Sequence, residues 1–140
     1  TADCLPILLC DKQGTVVAAV HAGWRSLCDG VIEAAVEKMQ VPPVDLMAWL
    51  GPAIGPQAFE VGDEVKAAFV AKDAQSGVTF TPKGDKWLGD LYLIAKQRLA
   101  NSGINAVYGG GECTYTQAER YFSFRRDGVT GRMASLIWLD

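Results

Sequence analysis

Histidine is nearly absent: the 140-residue chain contains one, His21. A centre built on several imidazoles is therefore beyond what these residues can supply, and any metal chemistry must combine His21 with other donor types. Cysteine is also scarce, with Cys4, Cys10, Cys28 and Cys113 forming no C-x-x-C pair and falling far below the density of a disulfide-stapled secreted domain. Reduced thiols and a cytoplasmic setting are expected. No apolar run approaches the ~18 residues needed to cross a bilayer, and no basic-then-apolar leader opens the chain, so no membrane partner is expected. Excess positive charge is missing too. Thirteen Lys and Arg stand against sixteen Asp and Glu, a net charge of −3, which argues against general binding of nucleic acid. Repeats, low-complexity tracts and linker-like stretches are lacking as well.

What is present suits a folded enzyme-sized domain. Hydrophobic residues make up 49% and charged residues 21%, a globular balance. A chain of this length can bury roughly 68–70% of its unfolded surface, enough for one domain with a real core. Leu5–Cys10 and Thr15–His21 read as β-strands joined by a four-residue loop, residues 11–14. A helix is expected with Ser26 as N-cap and an apolar face from Leu27 to Met39, stopped by Pro42-Pro43. Met47–Leu50 reads as a buried strand, and 51–56 as a rigid Gly/Pro loop. Further helices are expected over Asp63–Val70 and from an Asp90 cap through Asn101, with Gly103 as the stop. Val78–Thr81, Ala106–Tyr108 and Met133–Leu139 complete the strands, the last preceded by an Asp127-Gly128 turn. The pattern implies an α+β fold with a mixed, largely antiparallel sheet layered with helices.

The hairpin carries the first chemical signal. With a loop of residues 11–14, Cys10 faces Thr15 and Cys4 falls directly opposite His21. Directly opposed residues have Cβ atoms roughly 4.5–5.5 Å apart, a spacing that one zinc ion can bridge with Zn–S near ~2.3 Å and Zn–N near ~2.0–2.1 Å. Pro6 cannot donate to the ladder, and a bulge there would shift the register. Cys10 lies six strand residues away, about 20 Å, and is excluded. Against the metal reading, a solitary Cys is commonly a small buried hydrophobe and a solitary His a structural one.

Arg25 falls between a strand end and a helix start, where free N–H groups favour a phosphate or carboxylate; pairing with Asp29 is the plain alternative. Asp3 points to the opposite face from Cys4 in an extended strand, so it orients a neighbour or caps a turn rather than sharing an ion. Gly109-Gly110-Gly111 lacks the P-loop and G-x-G-x-x-G patterns and reads as a turn that brings Glu112–Tyr115 close to the site. Arg125 and Arg126 can offer guanidinium forks to ribose or phosphate, or simply be solvated. Ser123 and Cys113 would have to borrow His21 to act as nucleophiles.

Several stretches together resemble the YfiH family, whose members are variously labelled multicopper polyphenol oxidase (laccase-like), purine nucleoside phosphorylase and peptidoglycan editing factor. Thr1–Pro6 resembles its TADCLP box, His21–Arg25 its HAGWR box, Trp49–Gly55 its WLGPAIG loop, Glu60–Gly62 its EVG element, and Ser123–Met133 its SFRRDG…TGRM ending. The resemblance implies a YfiH-like fold and a zinc held by two His and one Cys. Cys4 is then the Cys and His21 one His; the other His has no counterpart here. Residues 1–140 are accordingly expected to be one domain forming the C-terminal part of a longer YfiH-type protein. Position 26 is Ser where the family has Gly, and Gln57-Ala58 stands where many members carry cysteines, which weakens any claim to extra copper ligands.

The implied activity is zinc-dependent chemistry on purine nucleosides: phosphorolysis of adenosine and inosine, and deamination of adenosine. Cys4, His21 and Arg25 are the expected catalytic residues, Cys4 and His21 the metal ligands, and Arg25, Arg125 and Tyr115 the contacts to nucleoside and phosphate. The alternatives are copper-dependent polyphenol oxidation, an editing hydrolase on cell-wall precursors with Cys4 as nucleophile, and a non-catalytic module.

Overall fold

The computed structural model describes all residues, Thr1–Asp140. Strands β1 (Leu5–Asp11), β2 (Val17–Ala22), β3 (Leu46–Leu50) and β7 (Ala106–Gly109) form one sheet in the order β2-β1-β3-β7. β1 runs antiparallel to β2 and β3, while β3 and β7 are parallel. Strands β4 (Glu60–Val61), β5 (Phe80–Lys83) and β6 (Lys86–Gly89) make a second, antiparallel sheet in the order β4-β6-β5. The helices are α1 (Trp24–Asp29), α2 (Val31–Met39), α3 (Asp63–Lys72), α4 (Leu91–Asn101) and the single turn α5 (Phe124–Asp127), with short 3-10 turns at Pro43–Asp45 and Ala74–Thr79. The expected α+β class with mixed sheets is what the chain adopts.

Alternation in β1 determines how the large sheet is used. Leu5, Ile7 and Leu9 are fully buried and join Val20, Ala22, Leu46, Ala48 and Leu50 under α2 and α4, whose Ile32, Val36, Ile94 and Leu99 complete the core. Burying each such side chain contributes about 1.5–3 kcal/mol, so this face fixes the register. The opposite face carries Leu8, His21, Trp49 and Tyr108 and is much more open, with Tyr108 59% exposed.

Several expectations need correction. The helix starting at Ser26 is two helices: Gly23 is the N-cap of α1, and Gly30, at φ 100°, breaks the rod before α2. Ser26 instead lies within α1 and donates its hydroxyl to the carbonyls of His21 and Gly23. The strand expected at 78–81 sits later, as β5, because a 3-10 turn occupies Ala74–Thr79. The hairpin partner β6, turned at Gly84, was not anticipated. Met133–Leu139 is not a strand: only Met133 is held, by reciprocal backbone bonds with Thr1, and no neighbour offers a ladder to the rest. Asp127-Gly128 closes α5 rather than a hairpin. By contrast Asp90 caps α4 as expected, accepting from the Leu93 N–H at 2.9 Å.

Candidate functional site

The hairpin register differs from expectation by two residues. Cys10 faces Val17, and His21 faces Pro6 rather than Cys4. The reason lies in Asp11. Its carboxylate accepts from the backbone N–H of Thr15 and Val16 and from the Thr15 hydroxyl, while its own N–H donates to the Val16 carbonyl. Asp11 is thus the last ladder residue and the loop becomes residues 12–15. These hydrogen bonds, led by the Thr15 hydroxyl, hold the Asp11 carboxyl below the usual carboxylate range.

A displacement of two preserves the side-chain face, because the strand period is two. Extended one position beyond its last observed pair, Leu5 with Ala22, this register would set Cys4 opposite Gly23, two residues from His21. The packing of Gly23 agrees independently: a Cβ there would lie 3.1 Å from Cys4 Sγ. The glycine of the HAGWR stretch thus leaves the space that the thiol occupies. Cys4 is half-buried and His21 exposed. Burial, reinforced by the neighbouring Asp3 charge, pushes the Cys4 thiol above its ordinary pKa.

A thiolate and an imidazole are the right donor types for zinc. They are two donors only, since no group of three or more His, Cys, Asp or Glu side chains converges anywhere in the chain. Cys4 and His21 fit part of a zinc site and do not complete one.

Asp3 behaves as an anchor. Its side chain is buried away from Cys4, with Oδ1 accepting from Thr114 Oγ1 at 2.7 Å and Oδ2 from the Arg125 N–H at 2.7 Å. The latter bond caps α5 alongside Ser123, whose hydroxyl accepts from the Arg126 N–H. Arg126 is held by the carbonyls of Thr114, Tyr115 and Tyr121 and by Asp127, so it serves the local fold.

Arg25 lies in the first turn of α1, exposed, with its guanidinium 4.6 Å from the Trp24 ring centre. It makes no salt bridge with Asp29; the salt bridges involve other residues. Arg125 donates to the Glu60 carbonyl at 2.7 Å and lies over Phe59. Together with Tyr115, Lys83, Lys86 and Glu60, whose carboxylate pairs with both lysines, it borders a shallow groove. The expected site residues thus fall in two groups, Cys4, His21 and Arg25 around β2 and α1, and Arg125 with Tyr115 in the groove. Asp3 is bonded to the second group and adjacent in sequence to the first.

The Gly109-Gly110-Gly111 turn does bring Glu112–Tyr115 inward. At Gly109, φ 78°, a Cβ would stand 2.4 Å from the Leu50 carbonyl, so only glycine fits. The following segment is then tied to the 51–56 loop by bonds from the Thr114 N–H to the Ala53 carbonyl and from the Gly55 N–H to Cys113 Sγ. Tyr92 on α4, missed from the sequence, locks both: its hydroxyl accepts from the Ala53 N–H at 2.7 Å and donates to the Glu112 carbonyl at 2.8 Å. Burial pushes the phenol up to about 12. Tyr92, Gly55, Gly110, Glu112, Cys113 and Thr116 border a cavity of about 320 Å³.

With this geometry in place, the comparisons with known proteins are specific. Residues 1–140 match the family model described as multi-copper polyphenol oxidoreductase laccase. The chain is 59% identical over 139 residues to a Shigella flexneri protein named purine nucleoside phosphorylase YfiH, and 58% identical to its Escherichia coli counterpart. Each alignment covers 99% of this chain and 57% of the relative, so the chain spans little more than half the length of these relatives. A crystal structure of a Neisseria meningitidis protein superposes with a TM-score of 0.98 at 52% identity, over 100% of this chain and 58% of that one. A Bacillus licheniformis YfiH structure gives 0.82 at 28% identity, covering 91% and 51%. The chain belongs to the YfiH family of multi-copper polyphenol oxidoreductase laccase proteins.

Proposed function

We propose that this chain forms part of the active site of a cytoplasmic, zinc-dependent purine nucleoside phosphorylase that also deaminates adenosine. The observation that supports the reading is the packing of the Cys4 thiol against Gly23, two residues beyond His21 on the exposed end of β2. The names of the relatives supply the substrate class. Cys4 thiolate and His21 imidazole would hold the zinc together with a donor from outside residues 1–140. When bound, the ion supplies Lewis-acid polarisation.

Phosphorolysis requires a phosphate oxygen to bond to the ribose C1′ while the C1′–N9 bond breaks and its electron pair leaves with the purine, which takes up a proton. Positive charge develops on the ribose, so a held phosphate both attacks and stabilises. Arg25 has an exposed guanidinium for this task, and Arg125 retains donors beyond the one given to Glu60. Tyr115 borders the same groove as Arg125 and is assigned to the nucleoside.

Copper-dependent phenol oxidation, suggested by the family description, needs many imidazoles, and residues 1–140 contribute one. The deciding experiment measures bound metal, phosphorolysis of adenosine and inosine, and ammonia release in the intact protein and in Cys4→Ala and His21→Ala. Loss of zinc and of turnover in both variants is expected. Unchanged zinc and unchanged turnover in both would sink the reading, and stoichiometric copper required for turnover would replace it.

A further inference from the structure

Asp3 is one of only two non-glycine residues with positive φ, at 100°, the other being Gln40. That conformation costs a non-glycine residue about 1–3 kcal/mol and persists only where surrounding contacts over-determine it. Here they do. The carboxylate bridges Thr114, which is fully buried, and the backbone of Arg125, while the Asp3 carbonyl accepts from the Ile54 N–H at 3.0 Å. Three segments remote in sequence, 51–56, 112–115 and 123–127, thus converge on the residue immediately before Cys4. The left-handed turn at Asp3 directly precedes Cys4, whose Sγ packs against Gly23 two residues beyond His21.

We propose that Asp3 is a positioning residue that aims the Cys4 thiol and couples it mechanically to the Arg125–Tyr115 groove. The inference rests on the reading of Cys4 as a functional thiol. Two features favour positioning over charge. Both carboxylate oxygens are committed to neutral donors rather than to a cation, and the strained φ is unnecessary for a residue that supplies only a negative charge. Asp3→Glu separates the two, since it retains the charge and displaces the oxygens by one methylene.

The test uses the intact protein and its Asp3→Glu, Asp3→Gly and Thr114→Val variants, with iodoacetamide alkylation resolved by site in a mass spectrometer. Cys28 is buried and reports unfolding. Loss of two hydrogen bonds to a carboxylate should raise Cys4 alkylation about tenfold in both Asp3 variants, and loss of one a few-fold in Thr114→Val, with Cys28 unchanged. Retained zinc per chain should fall in the same order, as for other residues that orient a metal ligand. A wild-type Cys4 rate in Asp3→Glu overturns the proposal, because charge then suffices. So does a rise at Cys28 that matches the rise at Cys4 in all three variants. If the Asp3 variants fail to fold, Thr114→Val decides alone, and an unchanged Cys4 rate there overturns the proposal. If the parent protein proves free of zinc and of phosphorolysis while Cys4 alkylation responds as expected, the nucleoside reading fails and the positioning role stands.

Discussion

Removing one oxygen atom, in Tyr92→Phe, tests whether the two loops beside the site are held as described. The Tyr92 side chain lies in the core, 4% exposed, and its hydroxyl touches the Ala53 N–H, the Glu112 carbonyl and, at 3.2 Å, the Gly51 carbonyl. No other partner serves the Ala53 N–H or the Glu112 carbonyl, so the substitution strands a donor and an acceptor. Each unsatisfied buried group costs about 1–3 kcal/mol, giving an expected loss of roughly 2–6 kcal/mol for the two. At roughly 2–4 °C per kcal/mol for a protein of about 150–250 residues, the melting temperature should fall by about 4–24 °C. Calorimetry on the intact protein, with the exposed Tyr108→Phe as a control near zero, provides the measurement. The phenol adds a pH signature. Its folded pKa is raised, so its contribution is complete below about pH 10, its unfolded value, and disappears as pH climbs through about 12. Alkaline destabilisation over that window should be weaker in Tyr92→Phe. A change under about 2 °C at neutral pH would refute the latch and the hydrogen-bond argument behind it.

Asp11 should show the opposite pH dependence: its folded pKa is depressed, so its contribution is present above about pH 4 and is lost as pH falls through the folded value. Melting curves at pH 7 and pH 2.5 should show wild type ahead of Asp11→Ala at the first and the difference reduced at the second; a constant difference would count against the loop-capping role. Among the thiols, burial pushes Cys113 up, but hydrogen bonds from Thr116, Gly55 and Tyr115 outweigh it and hold the group below its ordinary value, while Cys4 is raised. Iodoacetamide at pH 7.5 should therefore modify Cys113 before Cys4, and the reverse order would contradict the described surroundings of both thiols.

The elements best read from the sequence were those whose local chemistry and packing agree. Asp90 followed by an apolar stripe gave α4, and the β-prone run Leu5–Cys10 gave most of β1, because caps and local propensity act over a few residues. The misreadings arose where a distant partner decides. Gly30 splits one amphipathic run into two helices without interrupting its apolar spacing, so periodicity alone could not show the break. The 133–139 segment alternates like a strand yet has no ladder to join, and a strand is a property of two segments rather than one. The β5–β6 hairpin turns at Gly84-Asp85, but the flanking Pro82, Lys83 and Lys86 are poor strand formers, so its ladder is weakly marked in sequence.

The candidate site divides along the same line. Hairpin logic set Cys4 opposite His21, whereas the observed ladder ends at Leu5 with Ala22 and sets His21 opposite Pro6; a correction of two residues keeps every paired residue on its face, and a correction of one would have reversed them. What put the loop ends one residue later on each strand was the Asp11 carboxylate collecting three donors, and a side chain that competes with the ladder for backbone N–H groups is visible in sequence only as an Asp near a turn. Tyr92 and Thr114 gave no signal at all. A buried tyrosine on a helix reads as core, and only the packing of α4 against the 51–56 and 112–115 segments turns its hydroxyl into a latch. Asp3 lies between these cases: alternation in an extended strand argues in sequence against an ion shared with Cys4, but Asp3 precedes β1 in a left-handed turn, and its carboxylate there reaches Thr114 and Arg125. Residues that shape a site from the turn before a strand are therefore the ones a ligand search in sequence passes over, and the strained φ of Asp3 is the structural mark by which this one is found.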